Sequence, residues 1–430
     1  SQSGALLTAM LDWARGRGIG FSQIVSLGEC ADIDFADVLD YLGSDGATRA
    51  ILLYVESIRD ARKFMSAARA AARNKPVIVV KSGRSSAGRA AAGTHTGKLA
   101  GEDAVFDAAI RRAGMLRVDT LQELFIAAET LSHLRESLAL RTGDEAELAD
   151  AERLTILTNG GGAGVMAADA AAAAGLALAT LPEDVTKALD GVLPSLWSHA
   201  NPVDMIGDAP PQRYIDALRI LQDSPQTGQL LLIHAPTANV PSADIAAALA
   251  PLAGASAGRL TTCWLGGPAV QAARERFGQA GIPCHDTPED AVRALALVAT
   301  YRRNQAMLME APPDRGDDPF DVQAIRAVVH GALKAGRRML TEPEAKALLS
   351  AAGVPVVPTL VVKASPIAAQ RAAEGIGYPV VLKILSPDLS HKSDVGGVAL
   401  ALGDGPAVNA AARAMLRRIR QLRPDARLEG

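Results

Sequence analysis

The stretch "AAAGTHTGKLAGEDAVFDAA", residues 90–109, carries His95 among Gly93, Thr94, Thr96 and Gly97. A core histidine would have apolar neighbours. This one sits on small and polar residues, which read as loose backbone able to move and present a ring nitrogen. Neutral imidazole is a nucleophile that can attack a phosphoryl group and carry it covalently. Such a carrier needs a partner on its other ring nitrogen to fix the tautomer. Glu56, closing the strand-like run "AILLYVE", is the candidate partner, because sites in open parallel sheets lie at strand C-termini. The plain alternatives are a solvent-exposed loop histidine and a surface glutamate that merely ends a strand.

Two further stretches prepare helix starts. Ser1, Ser3 and Gly4 precede one helical pattern; Asn159, Gly160, Gly161 and Gly162 precede another. Free N–H groups and the helix dipole favour an anion at such a start, and glycine lets it approach the backbone. Ordinary N-capping is the competing reading of each start taken singly. A third stretch is "YPVVLKILSPDLSHKSDVGGVAL". Lys383 ends an apolar strand and can meet phosphate as a point charge. The loop adds His391, Lys392, Ser393, Gly396 and Gly397, a candidate phosphate cradle. It lacks the GxxxxGK[ST] spacing of a Walker A loop, and a hairpin with a solvated lysine is the alternative. The upstream helix "TEPEAKALLSAAG" reads as surface charge decoration.

These residues need elements to hold them. "FSQIVSL", "RAILLYVE" and "KPVIVVKSG" read as strands; "DFADVLDYLG" and "DARKFMSAARAAAR" read as helices. Continuous apolar runs joined by helices predict a parallel sheet covered on both faces. This first unit spans 1–142, its pattern fading near residue 130 into the polar segment "GDEAELADAER". A second α/β unit spans 143–310, with "RLTILTNGGG", "GQLLLIHAP" and "GRLTTCWLGG". His234, at the end of its middle strand, reads as a satisfied core histidine. After "EAPPDRGDDPFD", rich in Pro and Asp, a third unit covers 321–430. It opens on helices and passes to the strands "VPVVPTLVVK" and "YPVVLKI". The glycine-bearing helix starts of the first two units echo one another, which suggests an architectural duplication.

Composition narrows the partners. The chain has 430 residues, 49% hydrophobic, with net charge −3 and 3% aromatics. There is no long basic run and no aromatic platform, so nucleic acid is not an expected partner. The most apolar stretch, "VMAADAAAAAGLALATL", is alanine-rich and contains Asp169, so it reads as a packed helix rather than a membrane span. The three cysteines, Cys30, Cys263 and Cys284, are far apart, which fits a reducing cytoplasm. No zinc-type ligand spacing occurs. The chain starts directly in a motif without Met, and a fragment of a longer protein is the expectation.

Taken together, these stretches resemble the NDP-forming acyl-CoA synthetases, relatives of succinyl-CoA synthetase. "SQSGAL" looks like the family's first phosphate-binding helix start. "THTGKLAGED" looks like its phosphohistidine segment, with the carrier at His95 and Glu56 as its holder. "TNGGGAGVMAADA" followed by "NPVD" looks like the start of the ligase domain. "LTEPEAKALLSAAGVPVVP", "GYPVVLK" and "SHKSDVGGV" look like the front of an ATP-grasp domain. In some members the histidine of this last motif is proposed as a second carrier, which would fall on His391.

The resemblance implies an α/β architecture of two flavodoxin-like, succinyl-CoA-synthetase-type parallel-sheet domains followed by a partial ATP-grasp domain. It implies a relay in which a small carboxylic acid, CoA and ATP give acyl-CoA, ADP and phosphate, with Mg²⁺ arriving on the nucleotide. The family's CoA-binding domain would precede "SQSGAL", so the chain alone is expected to be unable to complete the cycle. A homo- or hetero-oligomer is expected. A second subgroup, fused to GNAT protein lysine acetyltransferases, resembles the chain in "WARGRGIGFSQIVSLGE" and "TPEDAVRALALVATYRRNQ". There the same region can be degenerate and serve as a regulatory, acyl-CoA-sensing module.

Overall fold

A computed structural model describes residues 1–15, 19–96, 102–133, 152–253, 258–310, 320–389 and 391–430, without the side chains at 92–96, 132–133 and 253. The chain forms two compact units, Ser1–Ala311 and Pro312–Gly430.

In the first unit, α1 (Gly4–Arg15) and α2 (Phe35–Ser44) lead into β1 (Ile51–Val55), α3 (Ala61–Asn74) and β2 (Val77–Lys81). Then follow α4 (Ser86–Thr96), α5 (Asp103–Arg112), β3 (Leu116–Val118) and α6 (Leu121–His133). β1, β2 and β3 form a parallel sheet in that order. Asp34 caps α2 with a full capping box closed by Asp37, which fixes where that helix begins. β2 is buried along its whole length, as a strand covered on both faces must be.

Two sequence expectations change here. "FSQIVSL" is not a strand: Val25 O accepts from Ser1 N (3.0 Å) and Leu27 N donates to Ser1 O (2.8 Å), which is too little for a ladder. Position 95, expected on loose backbone, lies on α4, where the alanine run and Arg89 favour helix.

The second half of this unit holds β4 (Leu154–Thr158), α7 (Gly161–Ala173), α8 (Glu183–Asp190), β5 (Val203–Asp204) and α9 (Pro211–Asp223). It continues with β6 (Gln229–His234), α10 (Ser242–Ala253), β7 (Leu260–Trp264), α11 (Gln271–Gln279), β8 (Cys284–His285) and α12 (Pro288–Met309). The sheet order is β5-β4-β6-β7-β8, all parallel.

α12 belongs to both sheets. Ala291, Val292, Leu295, Ala296 and Ala299 pack on the five-stranded sheet with Ile156 and Ile233. Ala294, Leu297, Val298 and Tyr301 pack on the three-stranded sheet with Ile78 and Leu116. A helix buried on two sides needs an apolar surface wider than one stripe, and "AVRALALVATY" supplies it. Its end is locked by Asn304 Nδ2 donating to Met115 O (2.7 Å) and Gln305 Nε2 to Gly114 O (2.6 Å). Gly114 has φ +76°, and a Cβ there would lie 2.5 Å from Leu308 Cδ2, so glycine is required.

The second unit has α13 (Val322–Lys334), α14 (Glu342–Ala351), α15 (Pro366–Ile376), β9 (Val380–Lys383), β10 (Val398–Leu402) and α16 (Gly405–Leu422). β9 and β10 are antiparallel. α15 and α16 cover one sheet face through Ala369, Ala373, Val408 and Ala412 against Val380 and Leu382. The expected strand "VPVVPTLVVK" forms no ladder, since Pro355 and Pro358 remove two donors.

Candidate functional site

The residues singled out by sequence fall into three places. The first is the start of α1. Ser1 Oγ accepts from Ser3 N (3.1 Å) and donates to Ser3 O (2.9 Å), and Ser3 Oγ accepts from Leu6 N (3.4 Å). The serines therefore cap their own helix start, and Gly4 begins the helix. Gln2, which sequence reasoning passed over, is the link to Glu56. Its backbone N donates to Tyr54 O (3.3 Å), and its side-chain oxygen accepts from Glu56 N (2.7 Å) and Ser57 N (3.1 Å). The helix start and the end of β1 are thus one bonded cluster.

Beside this cluster an open cleft of about 470 Å³ lies at the ends of β1 and β2, lined by Tyr54, Lys81, Ser82, Arg84, Ser85 and Asp119, among others. Lys81 Nζ donates to Glu56 O (2.9 Å) and Ser82 O (2.6 Å). Burial pulls the Lys81 ammonium below its usual range. Burial pushes the Tyr54 phenol up, with the nearby Glu56 carboxylate adding to it. Arg84 pairs with Asp119. α4 leaves from this cleft and carries position 95; the His95 side chain lies outside the described residues.

The second place is the start of α7. Asn159 is buried; its Nδ2 donates to Ala235 O and its Oδ1 accepts from Ala235 N, both at 2.8 Å. It clamps the ends of β4 and β6 together. Gly160 caps the helix without a side-chain bond. Its carbonyl takes the first intrahelical donors, Ala163 N (3.0 Å) and Gly164 N (3.1 Å). The N–H groups of Gly161 and Gly162 precede these and point out of the helix end. A Cβ at Gly161 would sit 2.7 Å from Asp204 Oδ2, whereas one at Gly162 would meet nothing within 4 Å. Asp204 is the last residue of "NPVD". Its N–H donates to Ser198 Oγ (3.0 Å), and its Oδ1 accepts from Ile206 N (2.9 Å).

His234 behaves as the sequence predicts. It is buried, with Nδ1 at 2.8 Å from Tyr214 Oη and Nε2 at 3.0 Å from Ser242 Oγ, and burial lowers its pKa to about 4. Cys263 is buried and Cys284 half-buried, and none of the three cysteines is in a disulfide. His199 has Nδ1 at 2.9 Å from Asp190 Oδ1.

The third place is in the second unit. Alternation along β9 turns Val380 and Leu382 toward α15 and α16 and Lys383 toward the opposite face. Lys383 Nζ lies 2.7 Å from Glu342 Oε1, and Lys392 Nζ lies 3.2 Å from Glu342 Oε2. Lys346 Nζ, one turn along α14, is 3.5 Å from the same carboxylate. Glu342 is therefore no surface decoration. Burial would raise its pKa, but the bonds and charges of Lys383 and Lys392 prevail and hold it at about 2. The signal that could have found it is the i,i+4 spacing of Glu342 and Lys346.

These residues line a cavity of about 490 Å³ whose other walls are largely apolar, including Val357, Leu360 and Met415. Lys392 is not solvated, as the hairpin alternative had it. The two glycines serve the turn: Gly396 N donates to Ser393 O (3.0 Å) and Gly397 N to Lys392 O (2.7 Å). A Cβ at Gly397 would lie 2.6 Å from Ile384 Cγ2. Their N–H groups thus close the turn. His391 and Ser393 are exposed beside it. Among the described residues, no group of three acidic, histidine or cysteine side chains could hold a metal ion, and no helix is long and apolar enough to cross a membrane.

Comparison with known proteins finds three family matches along the chain. Residues 1–131 match the succinyl-CoA ligase-like flavodoxin domain, 154–262 the ligase-CoA domain and 331–430 the ATP-grasp domain. The acetate–CoA ligase (ADP-forming) I of Archaeoglobus fulgidus is 37% identical over 100% of this chain and 59% of its own length. The 4-hydroxybutyrate–CoA ligase (ADP-forming) of Nitrosopumilus maritimus is 31% identical over 100% of the chain and 60% of its own. The chain spans about three-fifths of the length of these relatives. Among solved structures, the dinucleotide-forming acetyl-coenzyme A synthetase 1 of Candidatus Korarchaeum cryptofilum, in complex with phosphate and ADP, superposes with a TM-score of 0.64. It is 32% identical over 72% of this chain and 65% of that one. These relatives support the ligase reading and lend none to the GNAT-fused one. The chain thus carries, in order, portions that match the succinyl-CoA ligase-like flavodoxin, ligase-CoA and ATP-grasp domains, and the relatives named here are ADP-forming CoA ligases.

Proposed function

We propose that the protein is an ADP-forming acyl-CoA synthetase that joins a small carboxylic acid to CoA at the expense of MgATP, through phosphohistidine and acyl phosphate. The neutral imidazole of His95 takes a phosphoryl group, and the acid's carboxylate then attacks phosphorus, freeing the imidazole and forming an acyl phosphate. The CoA thiolate attacks the acyl carbon and expels phosphate. Glu56 holds the second ring nitrogen of His95, so that the imidazole is presented in one tautomer. The starts of α1 and α7 receive the phosphoryl oxygens, Ser1, Ser3 and Gly4 shaping one and Gly160, Gly161 and Gly162 the other. In the second unit Lys383 and Lys392 receive the nucleotide's phosphates, with Ser393 beside them. His391 is the first acceptor, from which the group passes to His95. Mg²⁺ enters as part of the nucleotide substrate. The cytoplasm is the proposed compartment, and further chains or copies complete the assembly.

The observation that carries this reading is the tie made by Gln2, whose side chain bonds the N–H groups of Glu56 and Ser57 and joins an anion-ready helix start to the proposed histidine holder. The test is acid-labile labelling of the complete protein with γ-labelled ATP. His391→Ala is expected to take up no label. His95→Ala is expected to be labelled but to form no acyl-CoA. A wild-type protein that takes no label and makes no acyl-CoA from acetate would refute the proposal.

A further inference from the structure

Glu342 gathers three ammonium groups from three separate elements. Lys346 comes from its own helix, Lys383 from the end of β9, and Lys392 from the turn that follows His391. One carboxylate among three cations leaves two positive charges in excess, at the wall of a cavity of about 490 Å³. Like charges brought this close repel, and lysine is a flexible, strongly hydrated point charge. Without a central anion the three would swing apart toward water. Lys383, already 41% exposed, has the least to hold it.

The surplus charge suits an occupant with several negative charges, which is the part of the proposed nucleotide that bears the phosphates. The step beyond that reading concerns the carboxylate itself. We infer that Glu342 is a positioning residue that assembles Lys346, Lys383 and Lys392 into a polyphosphate seat before the ligand arrives, and so holds the His391 turn beside that seat. The inference rests on the nucleotide reading of this cavity. Its physical content is preorganisation: the lysines are ordered in advance, so binding need not order them. On binding, phosphate oxygens share the ammonium hydrogens with the carboxylate. Glu342 contacts only protein groups and takes no part in bond making.

The test compares ATP and adenosine binding to the complete protein, wild type and Glu342→Gln, by calorimetry and by competition. The variant keeps the shape and removes the charge. It is expected to bind ATP at least tenfold more weakly while adenosine affinity stays within twofold, a split that general loosening of the fold would not produce. Glu342→Asp, which keeps the charge on a shorter arm, is expected to fall between them. ATP affinity equal to or tighter than wild type in Glu342→Gln overturns the inference alone, as does an equal loss for adenosine. A wild-type protein that binds no ATP overturns the nucleotide reading and this inference with it.

Discussion

The helix starts of α1 and α7 look alike in sequence, a small polar turn with glycine ahead of a helix, yet they are wired differently. At α1 the polar side chains turn inward: Ser1 and Ser3 cap the helix, and Gln2 reaches across to the end of β1. At α7 the helix has no side-chain cap; Asn159 is spent bracing β6, and a carboxylate from Asp204 stands against Gly161. One start is tied to the proposed histidine holder, while the other is left bare with an acid next to it. A shared pattern at a helix start therefore does not fix what else faces that start. That is set by the neighbouring strand end.

The comparison is most easily broken at Asn159. Asn159→Ala removes two part-buried bonds and leaves both backbone groups of half-buried Ala235 without them, each costing up to about 3 kcal/mol. The expected loss is about 3–4 kcal/mol of stability, measured by urea unfolding; a loss under 1 kcal/mol would mean water replaces the brace. Close behind is the histidine that precedes Ala235. His234 has its pKa lowered to about 4, so the unfolded chain binds the proton more readily. Its contribution is present above about pH 6.5 and is lost as pH falls through about 4, worth roughly 3 kcal/mol. Unfolding followed from pH 7 to pH 4 should show this loss, and His234→Gln should flatten it.

On the α1 side, Gln2→Ala leaves two N–H groups unbonded in a half-buried place, for about 1–2 kcal/mol. Acyl-CoA formation should fall more than nucleotide binding, because the end of β1 that carries Glu56 is loosened. Equal loss of both would make Gln2 merely structural. The finest distinction is between adjacent glycines. Gly161→Ala must displace Asp204 and its bond to Ile206, for about 1 kcal/mol, whereas Gly162→Ala should change stability by no more than about 0.5 kcal/mol. Equal effects in thermal melts would remove Asp204 from the comparison.

Much of this frame is legible in the chain itself. The largely apolar runs at 51–55, 77–81 and 229–234 are parallel strands, the last two buried along their whole length. Lys383 is readable as a strand-end cation because it closes such a run. What is not readable depends on partners distant in sequence. Gln2 gains its role from residues 54 positions away, and Glu342 from lysines 41 and 50 positions away. Gly396 and Gly397 look like a phosphate loop, but their N–H groups close the turn, which only the turn's geometry reveals. "FSQIVSL" has strand propensity without a strand's neighbours, and propensity in sheets is mostly a statement about neighbours.

The long helix at Pro288–Met309 has a further consequence. A rod glued along two layers stiffens the block against hinging, since any opening between the layers would tear its packing on one side or the other. The first two segments should then melt as one cooperative body, and cutting the chain between them should cripple both. If the chemistry demands travel over tens of ångströms, that travel has to be made by parts hung from the block while the block stands still.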